Sequence, residues 1–166
     1  MNTPADPYNV LFLCTGNSAR SIIAETILKK KGGDLFKAYS AGRNPVGRIN
    51  ENVENFLRSM DIPTVGLRSK GITEFFEPNP INMDFIFTVC DKANEEPCPI
   101  WPGQPITAHW SIPDPAQFTG TAEEIATRIA DVYRMLETRI SIFMSLPLKS
   151  IDRMALQSRF DHMAKE

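Results

Sequence analysis

The chain has 166 residues, 42% hydrophobic and 23% charged, with a formal net charge of −2. That size and balance describe one globular domain with room for a real core, and they exclude the basic footprint of a nucleic-acid binder. No apolar run approaches a membrane span, no basic-then-apolar leader opens the chain, and three leaderless cysteines do not make a secreted disulfide framework, so the cytoplasm is the expected compartment.

Met1 to Tyr8 reads as a polar lead-in. Asn9–Leu13 reads as a buried strand, and Ile22, Ile23, Ile27 and Leu28 fall on one face of a helix that runs to about Lys31 and is stopped by Gly32 and Gly33. Between strand and helix lies Cys14-Thr-Gly-Asn-Ser-Ala-Arg20-Ser21. A strand, a short loop and a helix start make an anion cradle, because loop N–H groups and the unpaired N–H groups of the first helical turn converge. The loop supplies Thr15, Gly16, Asn17, Ser18 and Ala19. Gly16, with no Cβ, permits close backbone approach. Arg20 carries a planar fork of donors suited to a tetrahedral oxyanion. Helix N-terminus and arginine both favour the Cys14 thiolate, which gives a nucleophile aimed at the centre of a bound oxyanion. The plainer reading, a core cysteine beside a surface arginine, leaves the agreement of strand, glycine, spacing and helix without a reason.

Further along, Phe36–Ala41 reads as a second strand ended by Gly42, and Arg43–Arg48 as a loop. Asn50 caps a helix carrying Val53, Phe56, Leu57 and Met60, broken at Asp61-Ile-Pro63. Ile72–Phe76 reads as a short helix and Phe85–Cys90 as a buried strand. The stretch from Asp91 to Pro105 has prolines at 97, 99, 102 and 105 and no periodicity, the mark of a functional loop. Ile106–Trp110 reads as a fourth strand, Ile112–Pro115 as a stiff turn, and Thr121–Glu124 as a capping box opening a helix through Ile125, Ile129, Val132, Leu136, Ile140 and Phe143 to Pro147. Ser150–Lys165 reads as a further helix, so the expected organisation is a domain over 1–146 with a C-terminal helical extension over 147–166.

Strands alternating with helices predict an α/β fold with a parallel sheet, whose ligand sits beyond the carboxyl ends of the strands. Cys14, Cys90 and Asp114 then share one edge. Asp114, held between prolines, is either a turn aspartate or an acid able to protonate a leaving oxygen, and its place on this edge favours the acid. Cys90 and Cys98 admit three readings: packed and incidental thiols, metal ligands, or a redox pair in which Cys90 attacks an adduct on Cys14 and Cys98 attacks the disulfide. Metal binding is the weakest, with only two histidines, His109 and His162, and no Cys-x-x-Cys. His109 reads as a satisfied strand-end residue, and Trp101 and Trp110 as loop packing.

Together these motifs resemble the arsenate reductases of the low-molecular-weight protein tyrosine phosphatase-like family, over about Asn9–Phe143. Cys14-x5-Arg20-Ser21 is common to reductases and phosphatases. Phe87-Thr-Val-Cys-Asp91, Cys98-Pro99, His109-Trp110 and Asp114-Pro115 are similar to the reductase branch, and Ala116-Gln117 stands where phosphatases usually carry tyrosines. The resemblance implies a four-stranded parallel sheet of order 2-1-3-4 with helices on both faces. It implies that Cys14 attacks arsenate held by Arg20 and the loop N–H groups, with Asp114 assisting loss of hydroxide and Ser21 and Asn17 supporting the loop. Cys90 then displaces arsenite, giving a Cys14–Cys90 disulfide, and Cys98 takes over to leave Cys90–Cys98 for thioredoxin. The extra thiols suit a redox enzyme, because arsenic(V) accepts two electrons as its bond to sulfur breaks and phosphate does not. The second cysteine spacing is one residue longer than in the thioredoxin-coupled branch and contains Pro97, so glutathione with glutaredoxin is the other candidate reductant. No tightly bound cofactor is implied; phosphate or sulfate would also fit the loop. Asn17, Glu25 and Ser40 match positions that hold potassium in some relatives. Two rival functions share the motifs: a phosphomonoesterase or tyrosine phosphatase using Cys14, Arg20 and Asp114, and a non-catalytic oxyanion sensor.

Overall fold

The computed structural model describes residues 7–76, 80–89, 105–148 and 157–159. Strands β1 (Tyr8–Cys14), β2 (Phe36–Gly42), β3 (Phe85–Thr88) and β4 (Ile106–His109) form one parallel sheet in the order 2-1-3-4. The central β1 is apolar on both faces, as a parallel strand covered on both sides must be, and Val10 to Leu13 are completely buried. Even-numbered Val10, Phe12 and Cys14 face the larger core, where helices α1 (Arg20–Gly32), α2 (Glu51–Ser59) and α3 (Ala122–Ser145) pack. Leu11 and Leu13 face a smaller cluster with Ala41, Met83, Ile86 and Phe75, the last from a 3-10 turn over Ile72–Phe75. The three α-helices thus cover one face, and the 3-10 turn helps to cover the other.

Local chemistry sets the ends of these elements. Gly33 at φ +54 follows α1, since the left-handed region suits glycine. The Asn50 side chain accepts from Val53 N at 3.1 Å to start α2. The Thr121–Glu124 capping box starts α3, whose buried stripe is Ile129, Val132, Tyr133, Leu136, Ile140 and Phe143.

Three expectations change. The segment read as a helix over Ile72–Phe76 is a single 3-10 turn ending at Phe75, because the prolines that follow leave no room for a second turn. Strands three and four end at Thr88 and His109, although Val89 N still bonds Leu13 O at 2.9 Å and Trp110 N bonds Thr88 O at 2.8 Å. Trp110 is a core residue rather than loop packing: it is 1% exposed and stacks on Phe87 with ring centroids 4.3 Å apart. Continuation of the strand past His109 turns its ring into the larger core.

Cys90, Cys98, Trp101 and most of the long proline-rich stretch lie outside the described residues. Of the segment 147–166 read as an extension, 147–148 and 157–159 are described, and 157–159 are helical. The Gln157 amide pairs with both backbone groups of Thr107 on edge strand β4, at 2.7 and 3.2 Å.

Candidate oxyanion site

Cys14 is the last residue of β1 and Arg20 the first of α1, so residues 15–19 form the whole connection. The carbonyls of this loop are turned outward. Arg43 N donates to Cys14 O (3.2 Å), Asn44 N to Thr15 O (2.9 Å), Val46 N to Gly16 O (3.0 Å) and Asn50 N to Ser18 O (2.9 Å). In a planar trans peptide the following N–H points the opposite way. The N–H groups of Thr15, Gly16, Asn17 and Ala19 therefore face inward. Asn17 N demonstrates the direction by donating to Cys14 Sγ at 3.2 Å. A ring of inward amides at a helix N-terminus is an anion receptor.

Cys14 is 2% exposed, and its sulfur sits among polar partners. Ser21 Oγ lies 2.9 Å from Cys14 Sγ, and Asn17 Nδ2 donates to Ser21 Oγ at 2.7 Å. Lys70 N donates to Asn17 Oδ1 at 2.8 Å, which fixes the orientation of the amide. With Asn17 donating to Ser21 Oγ, the Ser21 hydroxyl keeps its own hydrogen to give to the sulfur when Cys14 is a thiolate. Asn17 holds φ +47, a left-handed conformation that asparagine tolerates better than most residues.

Arg20 and Asp114 meet at the mouth. Arg20 Nη1 donates to Ile112 O at 3.2 Å, and Arg20 Nη2 lies 3.5 Å from Asp114 Oδ2. Asp114 Oδ1 accepts from Ala116 N at 3.0 Å. One carboxylate oxygen of Asp114 thus caps the turn and the other faces Arg20. His109 Nδ1 is 2.7 Å from Thr88 Oγ1, and burial lowers its pKa below the usual histidine value.

The close backbone approach expected at Gly16 occurs at Gly42. A Cβ on Gly16 would meet the Val46 side chain at 3.0 Å, whereas one on Gly42 would stand 2.7 Å from Thr15 O and 2.9 Å from Asn17 N. Ser69, which donates to Gly16 O at 3.1 Å, and Lys70 also escaped the sequence reading, since nothing periodic marks their segment.

The potassium trio does not enclose a cation. Asn17 Oδ1 is taken by Lys70 N, Ser40 Oγ donates to Glu25, and the Lys70 ammonium lies 3.3 Å from Ser40 Oγ and 3.8 Å from Glu25 Oε1. A potassium ion would have to share this space with an ammonium, so the residues do not fit one. Among the described residues no cluster of His, Cys, Asp and Glu is arranged to hold a metal. No described helix is long and apolar enough to cross a membrane.

A buried cysteine at a strand end, an inward-amide loop and an arginine at the start of the following helix make an arrangement suited to a tetrahedral oxyanion. The chain belongs to the low molecular weight phosphotyrosine protein phosphatase family, whose model matches residues 9–155. Within that family it is similar to arsenate reductases. An Oceanobacillus iheyensis arsenate reductase is 36% identical over 135 residues, 81% of this chain and 93% of that protein. The crystal structure of arsenate reductase from Archaeoglobus fulgidus superposes with a TM-score of 0.59 at 27% identity, covering 80% of this chain and 98% of the other. A solved arsenate reductase in the phosphate binding state gives a TM-score of 0.63 at 25% identity, covering 81% and 97%.

Proposed function

We propose that this protein is an arsenate reductase that works by thiol–disulfide exchange. The observation that carries the chemistry is the loop in which the carbonyls of Cys14, Thr15, Gly16 and Ser18 bond outward, leaving the amides that follow them on the side of the Cys14 sulfur. The relatives named arsenate reductase supply the choice of oxyanion.

Arsenate would take the Arg20 fork in place of Asp114 and lie against the inward amides. Cys14 attacks arsenic while Asp114 delivers a proton to the departing oxygen as it leaves as water. Cys90 then attacks the Cys14 sulfur; the electron pair of the S–As bond passes to arsenic, and arsenite leaves as a Cys14–Cys90 disulfide forms. Cys98 attacks Cys90, freeing Cys14, and an external dithiol reduces Cys90–Cys98. Thioredoxin is the expected donor if Cys98 resolves, and glutathione with glutaredoxin if it does not. The expected setting is the cytoplasm.

The test is arsenate-dependent thiol consumption with each reductant system, comparing wild type with Cys14→Ser, Cys90→Ser and Cys98→Ser. Turnover requiring Cys14 and Cys90 is the expected result, and the Cys98 variant identifies the donor. The family match favours one second reading, a phosphomonoesterase. p-Nitrophenyl phosphate hydrolysis that needs Cys14 but not Cys90, with no arsenate turnover, would replace the reductase by a phosphatase.

A further inference from the structure

Glu25 lies one helical turn beyond Ser21, is 5% exposed, and lies next to the oxyanion cradle. An uncompensated buried carboxylate there would oppose capture of a dianion. Two ammonium groups meet it. Lys29 Nζ is 2.5 Å away, but its side chain is 53% exposed, so solvent screens it. Lys70 is only 11% exposed, and its ammonium reaches Arg68 O (3.1 Å), Ser40 Oγ (3.3 Å) and Glu25 Oε1 (3.8 Å). Its backbone is stitched to both sides of the site: its N–H to Asn17 Oδ1, and its carbonyl to Gly42 N at 2.9 Å. Position and charge are thus set by one residue.

We propose that Lys70 is the resident counter-cation of the cradle, neutralising Glu25 and thereby setting affinity for the oxyanion. Lys70 is a positioning residue acting through Glu25. Desolvation pulls its pKa below the ordinary lysine value, and Glu25 pulls the other way. A cavity of about 600 Å³, lined in part by Glu25, Lys29, Tyr39, Arg68 and Lys70, opens on this cluster, so a small ion can reach Glu25 once the lysine side chain is shortened. The inference rests on the cradle holding an oxyanion and is independent of whether arsenate is then reduced.

The experiment uses full-length protein with Cys90→Ser and Cys98→Ser, leaving Cys14 as the reporter thiol. Protection of Cys14 from iodoacetamide by inorganic phosphate is titrated in choline chloride and in potassium chloride at equal ionic strength. The parent should give one dissociation constant in both salts. Lys70→Met should bind phosphate about fivefold more weakly in choline chloride, as expected for loss of one charge at partly screened distance, and recover in potassium chloride. Lys70→Arg should behave as the parent. Should Lys70→Met not fold, Lys70→Met combined with Glu25→Gln removes both charges and should bind phosphate as the parent does in choline chloride. Unchanged affinity in Lys70→Met, a loss that potassium does not restore, or a double variant that binds weakly would each overturn the proposal.

Discussion

Replacing Asn17 separates backbone strain from hydrogen bonding at the centre of the cradle. Its Oδ1 accepts from Lys70 N, its Nδ2 donates to Ser21 Oγ, and it is wholly buried at φ +47. Asn17→Gly keeps the backbone conformation and loses both side-chain bonds, at about 1 kcal/mol each, so about 2 kcal/mol. Asn17→Ala loses the same bonds and adds about 1–2 kcal/mol for the left-handed conformation. Glycine costs roughly 0.5–1 kcal/mol more than alanine in chain entropy, so the alanine variant should be less stable than the glycine variant by no more than about 1.5 kcal/mol. In both, Ser21 loses the donor that orients it, and alkylation of Cys14 should slow by about fivefold, the equivalent of one hydrogen bond. Urea unfolding and iodoacetamide kinetics on the Cys90→Ser/Cys98→Ser background read the two effects separately. A glycine variant less stable than the alanine variant would refute the strain argument. An unchanged alkylation rate would refute the relay from Asn17 through Ser21 to sulfur.

Gly42→Ala places a Cβ against Thr15 O and Asn17 N, so the loop must shift; stability should fall by about 1–3 kcal/mol in urea unfolding, and phosphate should no longer protect Cys14. Asp114→Asn should lower arsenate kcat by about a hundredfold while phosphate protection of Cys14 is kept or strengthened, since the competitor for Arg20 loses its charge. His109 has a folded-state pKa below its unfolded value, so the unfolded chain binds more protons below the ordinary histidine range and stability should drop as pH falls through it. His109→Gln should flatten that slope in urea midpoints taken at pH 7 and pH 5.5. Trp110→Ala should cost about 3–5 kcal/mol, which a loop tryptophan would not.

The parts of this fold that were legible are those where local pattern and tertiary role agree. The run Val10–Leu13 could only be a buried strand, the spacing of Cys14 to Arg20 matches the length of one turn between strand and helix, and Thr121 with Glu124 forms the capping box it spells. The illegible parts depend on partners distant in the chain. Gly42 ends a strand, as its neighbours suggest, but its lack of a side chain matters because Thr15 and Asn17 pass within 3 Å of where a Cβ would stand. Lys70 lies in a stretch without period or motif, and its role follows from meeting Asn17, Ser40 and Glu25, each from a different segment. Trp110 lies next to a turn in sequence, and only the stacking on Phe87 shows that the chain still runs along the sheet there.

A receptor written in peptide dipoles has an unusual pattern of tolerance to change. Side-chain ligands can be deleted one residue at a time, whereas inward amides disappear only if the loop refolds. Thr15, at the centre of the site, has an exposed side chain and Ser18 a half-buried one; both can vary and adjust what approaches the sulfur while the anion remains held. The fragile position is outside the loop, at Gly42, a residue that contributes no side chain at all. Substitution at Thr15 and Ser18 should therefore be borne while substitution at Asn17 or Gly42 strikes the frame, and selectivity among oxyanions can drift without loss of the ability to bind one.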